Sequence, residues 1–190
     1  MTCVLLSKKI HQLYDGVEGA DIIIKSTNKF LDLAKGEADI AIRNRIPTNA
    51  EVVFRDLNRE ELNSYSIYGH KGSFQEKLVE QVDQLNQYDW VIFPESKAQL
   101  KVDWLKKHIR PSSIRYRVHN ASLVMEIVSS TPNSVAILPR FIGESLENVI
   151  EIFRPNENLS FKHYILRRKK TGTLGKKVVQ NMLKIFCENS

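Results

Sequence analysis

The sequence is poor in features that mark secreted, membrane-spanning or metal-binding proteins. Its 190 residues include only two cysteines, Cys3 and Cys187, which are isolated and offer neither metal-binding nor redox spacing. No apolar run approaches the roughly 20 residues that a membrane-spanning helix requires. The N-terminus, from Met1 to Lys9, lacks the basic flank and apolar stretch of a secretory signal. These absences predict a cytoplasmic protein with reduced thiols and no membrane partner.

Catalytic motifs are scarce as well. There is no Gly-x-Ser-x-Gly elbow. Gly172 and Gly175 are separated by two residues, whereas a phosphate-binding loop needs four between its glycines. The five histidines show no zinc-ligand spacing. Because no nucleophile–base pair is visible, the sequence predicts no catalytic residue, no metal, no cofactor and no enzymatic activity.

The charge is modestly positive. The formal net charge is +6, and much of it lies late in the chain, in Arg167–Lys170 and in Lys176 and Lys177. A nucleic-acid domain is one explanation, since phosphate contacts require Lys and Arg. The charges do not form a regular stripe, and they are more typical of a solvated strand end and helix start.

The apolar pattern is organised around Gly36–Arg43. Ile40, Ala41 and Ile42 form an apolar run between Asp39 and Arg43, which predicts a strand inside a parallel sheet. Residues 28–35 are predicted to form a helix, and the run at 22–24 an earlier strand. Together they predict a right-handed strand–helix–strand unit.

Strands and helices are predicted to alternate along the remaining chain, which indicates an α/β protein with mainly parallel sheets. The predicted strands are residues 20–25, 39–43, 51–57, 64–68, 90–93, 114–118, 134–138, 149–153 and 161–168. The predicted helices are residues 5–14, 28–35, 74–85, 98–108, 120–129 and a last one from Gly172 and Thr173 to Phe186.

Several segments, in order, resemble the effector-binding domain of LysR-type transcriptional regulators. Gly36–Arg43, preceded by Asp32-Leu33, is similar to the family's "DL..G..DLAIR" segment. Val135–Phe141 resembles "GIALLPRF", although Asn133-Ser134 replaces the usual glycine. The segments Ser66–Tyr68, Asn120–Leu123 and Tyr164–Phe186 resemble later elements of the same domain.

The resemblance implies a two-lobed fold of the type 2 periplasmic-binding-protein kind, with mainly parallel sheets and a central cleft. Lobe one would comprise residues 1–57 and 147–190, and lobe two residues 58–146. Small ligands in such a fold bind between the lobes, at helix N-termini and strand ends. The resemblance also implies a homodimer or higher homo-oligomer, with the helix near Leu6–Leu13 and the run Ile22–Ile24 at the interface.

Two parts of the family pattern are missing from this sequence. The winged helix-turn-helix and its linker helix are absent, so DNA binding is expected only through a domain outside the chain. The first strand of lobe one is also missing, because the match begins inside the first helix. The chain is then a fragment or a natural truncated product, or else Cys3–Leu6 form that strand.

Polar residues at predicted helix starts are candidate effector ligands. Ser26, Thr27 and Asn28 offer hydroxyls and backbone N–H groups that suit a carboxylate, and simple helix capping is the alternative. Glu95 and Ser96 repeat the pattern in lobe two. Glu95 would repel an anion and favour an amine or hydroxyl there, unless it is only a first-turn acid that suits the helix dipole.

The remaining candidates lie at a helix start and at two strand ends. Asn120 and Ser122 open the predicted helix 120–129. Arg43 ends the strand 39–43 and could bind an anionic ligand, or instead form a salt bridge at the sheet edge. Pro139 closes the strand 134–138 in the segment that resembles "GIALLPRF".

The resemblance therefore predicts the sensing and dimerisation domain of a LysR-type regulator, which binds a small and potentially anionic effector between its lobes. Effector binding would shift the lobes or the dimer and so control a DNA-binding domain. The alternative is a stand-alone solute-binding protein of the same fold.

Overall fold

The computed structural model describes residues 6–27, 29–46, 50–57, 60–74, 79–93, 99–156, 159–160 and 162–187. The chain forms two compact units. Unit 1 is Asn63–Phe161, and unit 2 combines Thr2–Leu62 with Lys162–Ser190. The expected lobe boundaries near 57 and 147 differ from these units mainly in the placement of residues 147–161, and the division into lobes stays a prediction.

Unit 2 contains a three-stranded antiparallel sheet. Its strands are β1 (Ile40–Arg43), β2 (Val52–Asp56) and β8 (Tyr164–Arg168), in the order β1-β8-β2. A helical turn, α1 (residues 6–8), precedes a 3₁₀ helix at Ile10–Tyr14. The longest helix, α6, runs from Thr173 to Cys187, and the short α2 (Glu60–Asn63) lies where the chain passes into unit 1.

Two sets of contacts hold unit 2 together. On one face of the sheet, Leu33 packs against Tyr164 and Leu166 of the central strand. On α6, the buried amide of Asn181 donates to the carbonyls of Leu13 and Asp15, at 3.0 and 2.9 Å. Since a buried amide is costly unless bonded, these two bonds fix α6 against the first 3₁₀ helix.

Unit 1 contains a five-stranded mixed sheet in the order β5-β4-β6-β3-β7. β4 runs parallel to β5 and β6, whereas β3 runs antiparallel to β6 and β7. The strands are β3 (Tyr65–His70), β4 (Asp89–Ile92), β5 (Ile114–Arg117), β6 (Ser134–Pro139) and β7 (Val149–Phe153). The helices are α3 (Gln99–His108), α4 (Ala121–Ser130) and α5 (Arg140–Gly143), with 3₁₀ helices at Lys71–Ser73, Val82–Gln87 and Pro111–Ser113.

The core of unit 1 is built around Trp90 in β4. Its side chain is fully buried, and its indole N–H donates to the carbonyl of Leu85 at 2.9 Å. The ring of Trp104 in α3 lies 6.4 Å from it, centroid to centroid. These contacts join α3 and the 3₁₀ helix at Val82–Gln87 to the sheet. Ile67, Ile137 and other apolar side chains complete the cluster.

The α/β class is confirmed, and the sheets are mixed rather than mainly parallel. Among the described strands, parallel pairing is confined to β4 with β5 and with β6. β1, predicted to be interior to a parallel sheet, is an edge strand paired antiparallel to β8. An apolar run indicates that both faces of a strand are covered by other parts of the protein, but it does not indicate the direction or number of neighbouring strands.

The predicted strand–helix–strand unit at residues 20–43 is wrong in its first two elements. Residues 20–27 form no strand, and Ile23 is 73% exposed. The described part of 28–35 forms no helix, because the side chain of Asp32 accepts the N–H groups of Ala34 and Lys35 in a turn. Such local bonds compete with helical ones. Gly36, with φ of +78°, completes the turn into β1.

Two smaller predictions also change. The described part of the predicted helix 74–85 contains a 3₁₀ helix at Val82–Gln87 instead of an α-helix, and residues 75–78 lie outside the described structure. The described part of the predicted helix 5–14 forms a helical turn and a 3₁₀ helix, in which Leu6 and Leu13 are buried and Tyr14 is exposed. No described helix combines the length and apolar character needed to cross a bilayer.

Candidate functional site

One edge of the sheet in unit 1 gathers the polar groups of the candidate site. β4, β5 and β6 are parallel, so their carboxyl ends meet at the same edge. β3 runs the other way, and its first residue, Tyr65, pairs with Pro139 at the end of β6. Ligands of open α/β sheets bind outside the carboxyl ends of the strands, which makes this edge the candidate site.

Asn120 and Ser122 lie at this edge, as the sequence predicted for a helix start. Asn120 is the N-cap of α4, and its side-chain oxygen accepts the N–H of Ser122 at 2.7 Å. The preceding segment is tied to β4 because Val118 donates its N–H to the carbonyl of Ile92 at 3.0 Å. Both Asn120 and Ser122 are exposed, so the positive end of α4 is open to solvent or to a ligand.

Loss of the cap should weaken the helix. We expect Asn120→Ala to lower the free energy of unfolding by about 1 kcal/mol, because the N–H of Ser122 loses its acceptor. Urea denaturation of the purified variant measures this directly. Asn120→Ser should retain most of the stability because serine also caps well, and an equal loss in both variants would contradict the capping role.

Pro139 contributes backbone geometry at the edge and no polar group. Its side chain is buried, and the chain turns after it into α5. The N–H of the next residue, Arg140, donates to the carbonyl of Ser64 at 3.0 Å, which joins the end of β6 to the start of β3. Pro139 thus ends β6 at this edge, and its contact with a ligand stays a prediction.

Lys101 is a charged residue at this edge that sequence reasoning missed. Its side chain is only 6% exposed, and its ammonium donates to the carbonyl of Ile137 in β6 at 2.9 Å. It also lies 5.7 Å from the ring centre of Tyr65. Burial lowers the pKa of Lys101 to about 8 and raises the pKa of Tyr65 to about 12.

A signal for Lys101 was present in the sequence. Lys101 is spaced three, four and seven residues before Trp104, Leu105 and His108, so it lies on the apolar face of α3. A lysine at such a position is either a long side chain reaching solvent or a buried cation. Its low exposure shows that it is the second.

Ser66 adds a further buried polar group beside Tyr65. Its hydroxyl is fully buried and has no hydrogen-bond partner in the part of the chain that the structure describes. Neighbouring strand residues point to opposite faces, so Ser66 lies on the other side of the sheet from Tyr65. A buried hydroxyl without a partner costs stability.

The candidates in unit 2 show different local geometry from the one predicted. Thr27 is exposed, and its hydroxyl accepts the N–H of Lys29 at 3.1 Å in a local turn instead of capping a helix. Ser26 is exposed in a segment without regular structure. Asn28, from the same cluster, lies outside the described residues.

Arg43 makes no salt bridge among the described residues, and its role as a ligand for an anion stays a prediction. Its guanidinium donates to the carbonyl of Leu31 and lies 5.3 Å from the ring centre of Phe30. The salt bridge at this strand is instead made by Asp39 with Arg168, at 2.5 Å. Arg43 therefore braces the segment before β1.

The predicted site residues thus fall into separate groups. Asn120, Ser122 and Pro139 meet at one edge of unit 1, whereas Ser26, Thr27 and Arg43 belong to unit 2. Glu95 and Ser96 lie outside the described residues. Within the described ranges, no group of three or more His, Cys, Asp or Glu residues is arranged to hold a metal ion.

Solved structures share this arrangement of strands and helices. The regulatory domain of CcmR from Synechocystis PCC6803, in complex with 2-PG, is 11% identical and aligns over 97% of this chain and 94% of its own, with a TM-score of 0.69. The BenM effector-binding domain with benzoate is 14% identical over 96% and 86%, with a TM-score of 0.67. The MetR regulatory domain from N. meningitidis is 18% identical over 98% and 88%, with a TM-score of 0.64.

These similarities define the fold as periplasmic-binding-protein-like, the class of the LysR effector-binding domains. The model of the LysR substrate binding domain matches residues 5–180, and the chain belongs to this family. The search of curated proteins found no match. The chain spans 53% of the CbnR structure, a LysR family transcriptional regulator, and 61% of a full-length BenM mutant.

Proposed function

We propose that this chain is the ligand-sensing domain of a cytoplasmic LysR-type transcriptional regulator, and that it has no catalytic role. The match of the LysR substrate binding domain over residues 5–180 is the observation that carries the proposal. DNA binding would belong to a separate domain. CbnR, a similar LysR regulator, has been solved in complex with its target DNA.

The effector would be a small anion, bound at the edge of unit 1 where β4, β5 and β6 end. Two features support this charge. The open N-terminus of α4 carries partial positive charge beside Ser122, and Lys101 supplies a buried cation near the end of β6. BenM and CcmR were solved with benzoate and 2-PG, respectively, so small ligands occur among similar domains.

The regulator would work as a homodimer or a higher oligomer. Of the two predicted interface segments, the run Ile22–Ile24 is better suited, because Ile23 and Ile24 are exposed. Leu6 and Leu13 of the first helical segment are buried within the chain. We therefore place the contact at Ile22–Ile24 and expect effector binding to shift the monomer–dimer equilibrium.

A thermal-shift screen against benzoate and small phosphorylated carboxylates tests the proposal. A ligand at one hundred times its Kd stabilises the folded state by about 2.7 kcal/mol. We expect one anion to raise the Tm of the wild type, and Ser122→Ala to reduce that rise severalfold. Ser130→Ala is the matched control, since this exposed serine lies at the opposite end of α4.

Two outcomes of the screen and one further measurement are informative. An equal Tm rise in both serine variants would contradict a site at the start of α4. No rise with any anion would contradict the anionic effector. Sedimentation of the ligand-bound protein distinguishes a regulator from a solute-binding protein of the same fold, because the latter should bind its ligand without any change in oligomeric state.

A further inference from the structure

The edge strand β1 offers a sheet edge that has no partner among the described residues. β8 pairs with β1 on one side, and β1 is the last strand in the order β1-β8-β2. All four of its residues are half-buried. An open edge is a template for another strand, and proteins commonly cover such edges or block them with charge.

The charges around β1 are complementary to a copy of themselves. The sequence from residue 37 to 45 reads Glu-Ala-Asp-Ile-Ala-Ile-Arg-Asn-Arg, with acids before the apolar centre and arginines after it. In an antiparallel pair centred on Ala41, Asp39 lies opposite Arg43 of the second copy, and Ile40 lies opposite Ile42. Glu37 and Arg45, just beyond the strand ends, form an outer pair in the same register.

This pairing places opposite charges together at both ends and apolar side chains between them. Opposite charges directly across two antiparallel strands are favourable, and like charges there are unfavourable. The segment from 37 to 45 has two acids and two arginines, so its own net charge is zero, although the whole chain carries +6. The register about Ala41 therefore brings no like charges of this segment opposite each other.

The opposite edge of the same sheet lacks this property. β2 reads Val-Val-Phe-Arg-Asp, and a copy paired about Phe54 would place Val52 against Asp56 and Val53 against Arg55. Charged side chains would then face apolar ones. In the centred register the two edges therefore differ in their fit to a second copy.

The contacts that the charged groups in and around β1 already make still allow them to bind a second copy. Asp39 pairs with Arg168, yet 75% of its side chain is exposed. Glu37 accepts the N–H of Asp32 through one carboxylate oxygen, at 2.6 Å, and its side chain is exposed. Arg45 is exposed as well, and the half-buried Arg43 uses one N–H for the carbonyl of Leu31. A carboxylate has two oxygens and a guanidinium five N–H donors, so each group can gain a partner without losing one.

We propose that β1 pairs antiparallel with β1 of a second copy about Ala41, which joins two three-stranded sheets into one six-stranded sheet. The occupant of the edge is thus a second copy of this chain. The contact is different from the Ile22–Ile24 surface of the proposed function, and it does not depend on effector binding.

Disulfide trapping tests the register directly. Residues that face each other in an antiparallel pair have Cα atoms about 4.5–5.5 Å apart, within the range of a disulfide. In a background with Cys3→Ser and Cys187→Ser, we expect Ala41→Cys to give a covalent dimer on mild oxidation. Arg55→Cys, exposed on β2 at the opposite edge, is the control and should stay monomeric on a non-reducing gel.

Charge exchange tests the same register in solution. Arg45→Glu turns two attractive outer pairs into two repulsive ones and should raise the dimer Kd roughly tenfold. Adding Glu37→Lys restores opposite charges and should return the Kd to within about threefold of the wild type. Lys176→Glu, an exposed lysine of α6 with the same charge change, should leave the Kd unchanged.

The outcomes separate the two proposed contacts. A dimer abolished by Ile23→Lys but unaffected by Arg45→Glu, with no cross-link through Cys at position 41, would overturn the β1 contact and leave the proposed function intact. A chain that is monomeric at every accessible concentration would overturn it too. Cross-linking at position 41 with no ligand found would support the β1 contact and count against the sensor.

Discussion

Replacing Lys101 by methionine is expected to raise the free energy of unfolding at pH 7 by about 2 kcal/mol. Burial lowers the pKa of this lysine from 10.5 to about 8, so keeping it protonated in the folded state costs about 3 kcal/mol. Methionine has a similar length and no charge to bury. The loss of the bond to the carbonyl of Ile137 offsets about 1 kcal/mol of the gain.

The same substitution should change the pH dependence of stability. Between pH 8 and about 10, the unfolded lysine keeps its proton while the folded one releases it. The unfolded state then binds more protons, so the wild-type stability rises with pH in this window. The pKa of Tyr65 is raised to about 12, and burial also raises the pKa of Tyr68, so the folded state keeps their protons longer. Above about pH 10 stability should therefore fall.

Tryptophan fluorescence reports this behaviour for unit 1 in particular, because both tryptophans of the chain, Trp90 and Trp104, lie there. Urea titrations at several pH values should show the rise in the wild type and in Lys106→Met, which alters an exposed lysine of the same helix. Lys101→Met should show only the fall at high pH. A rise that persists in Lys101→Met would assign the titration to another group.

A more stable Lys101→Met variant would also bear on function. A buried cation that lowers stability is retained where its charge is used, and strongly shifted pKa values gather at functional sites. If Lys101 helps to bind an anionic effector, the variant should be more stable and bind more weakly. Higher stability with unchanged binding would instead make Lys101 a structural residue.

The elements that the sequence predicted well are those fixed by short-range chemistry. Asn120 caps α4 because its side chain reaches an N–H only two residues away, and such a bond is visible in the sequence. The apolar runs at 90–92 and 134–138 form strands because both faces of a central strand must be covered. These signals can be read from neighbouring residues alone, without knowledge of the tertiary contacts.

The failures depend on distant partners. A run of three isoleucines at 22–24 has high strand propensity, but a strand forms only where a neighbouring strand supplies hydrogen bonds, and the described residues supply none there. The antiparallel pairing of β1 with β8 joins residues more than 120 positions apart, beyond any local signal. The hydrogen bonds that the Asp32 side chain accepts stabilise a turn instead of a helix in the segment before β1.

The candidate site was partly predictable for the same reason. The positions of Asn120, Ser122 and Pro139 at a helix start and a strand end were predicted from local sequence signals, and their role as ligand groups stays a prediction. Lys101 and Tyr65 were missed because lysine is normally exposed, and because their proximity depends on how α3 packs on β3 and β6. A charged residue on the apolar face of a predicted helix is thus a useful signal for a buried functional group.

Replacing Trp90 by alanine is expected to lower the free energy of unfolding by about 3–5 kcal/mol, which is the typical cost of deleting a buried aromatic side chain. Its side chain is fully buried within the apolar cluster of unit 1. Trp90→Phe keeps most of the apolar contact and loses the bond to Leu85, so it should cost about 1–2 kcal/mol. Tyr116→Ala, at an exposed residue of the adjacent strand β5, should cost less than about 0.5 kcal/mol.

Far-UV circular dichroism and the remaining fluorescence of Trp104 measure these losses in urea. β4 leads from Trp90 directly to the edge that carries Asn120, because Ile92 accepts the N–H of Val118. The proposed effector site and the Trp90 core are therefore joined through one strand. If Trp90→Phe keeps its ligand-induced Tm rise while Trp90→Ala loses it at a temperature where it is still folded, the core positions the site as well as stabilising it. A loss below about 1 kcal/mol in Trp90→Ala would contradict the close packing around this residue.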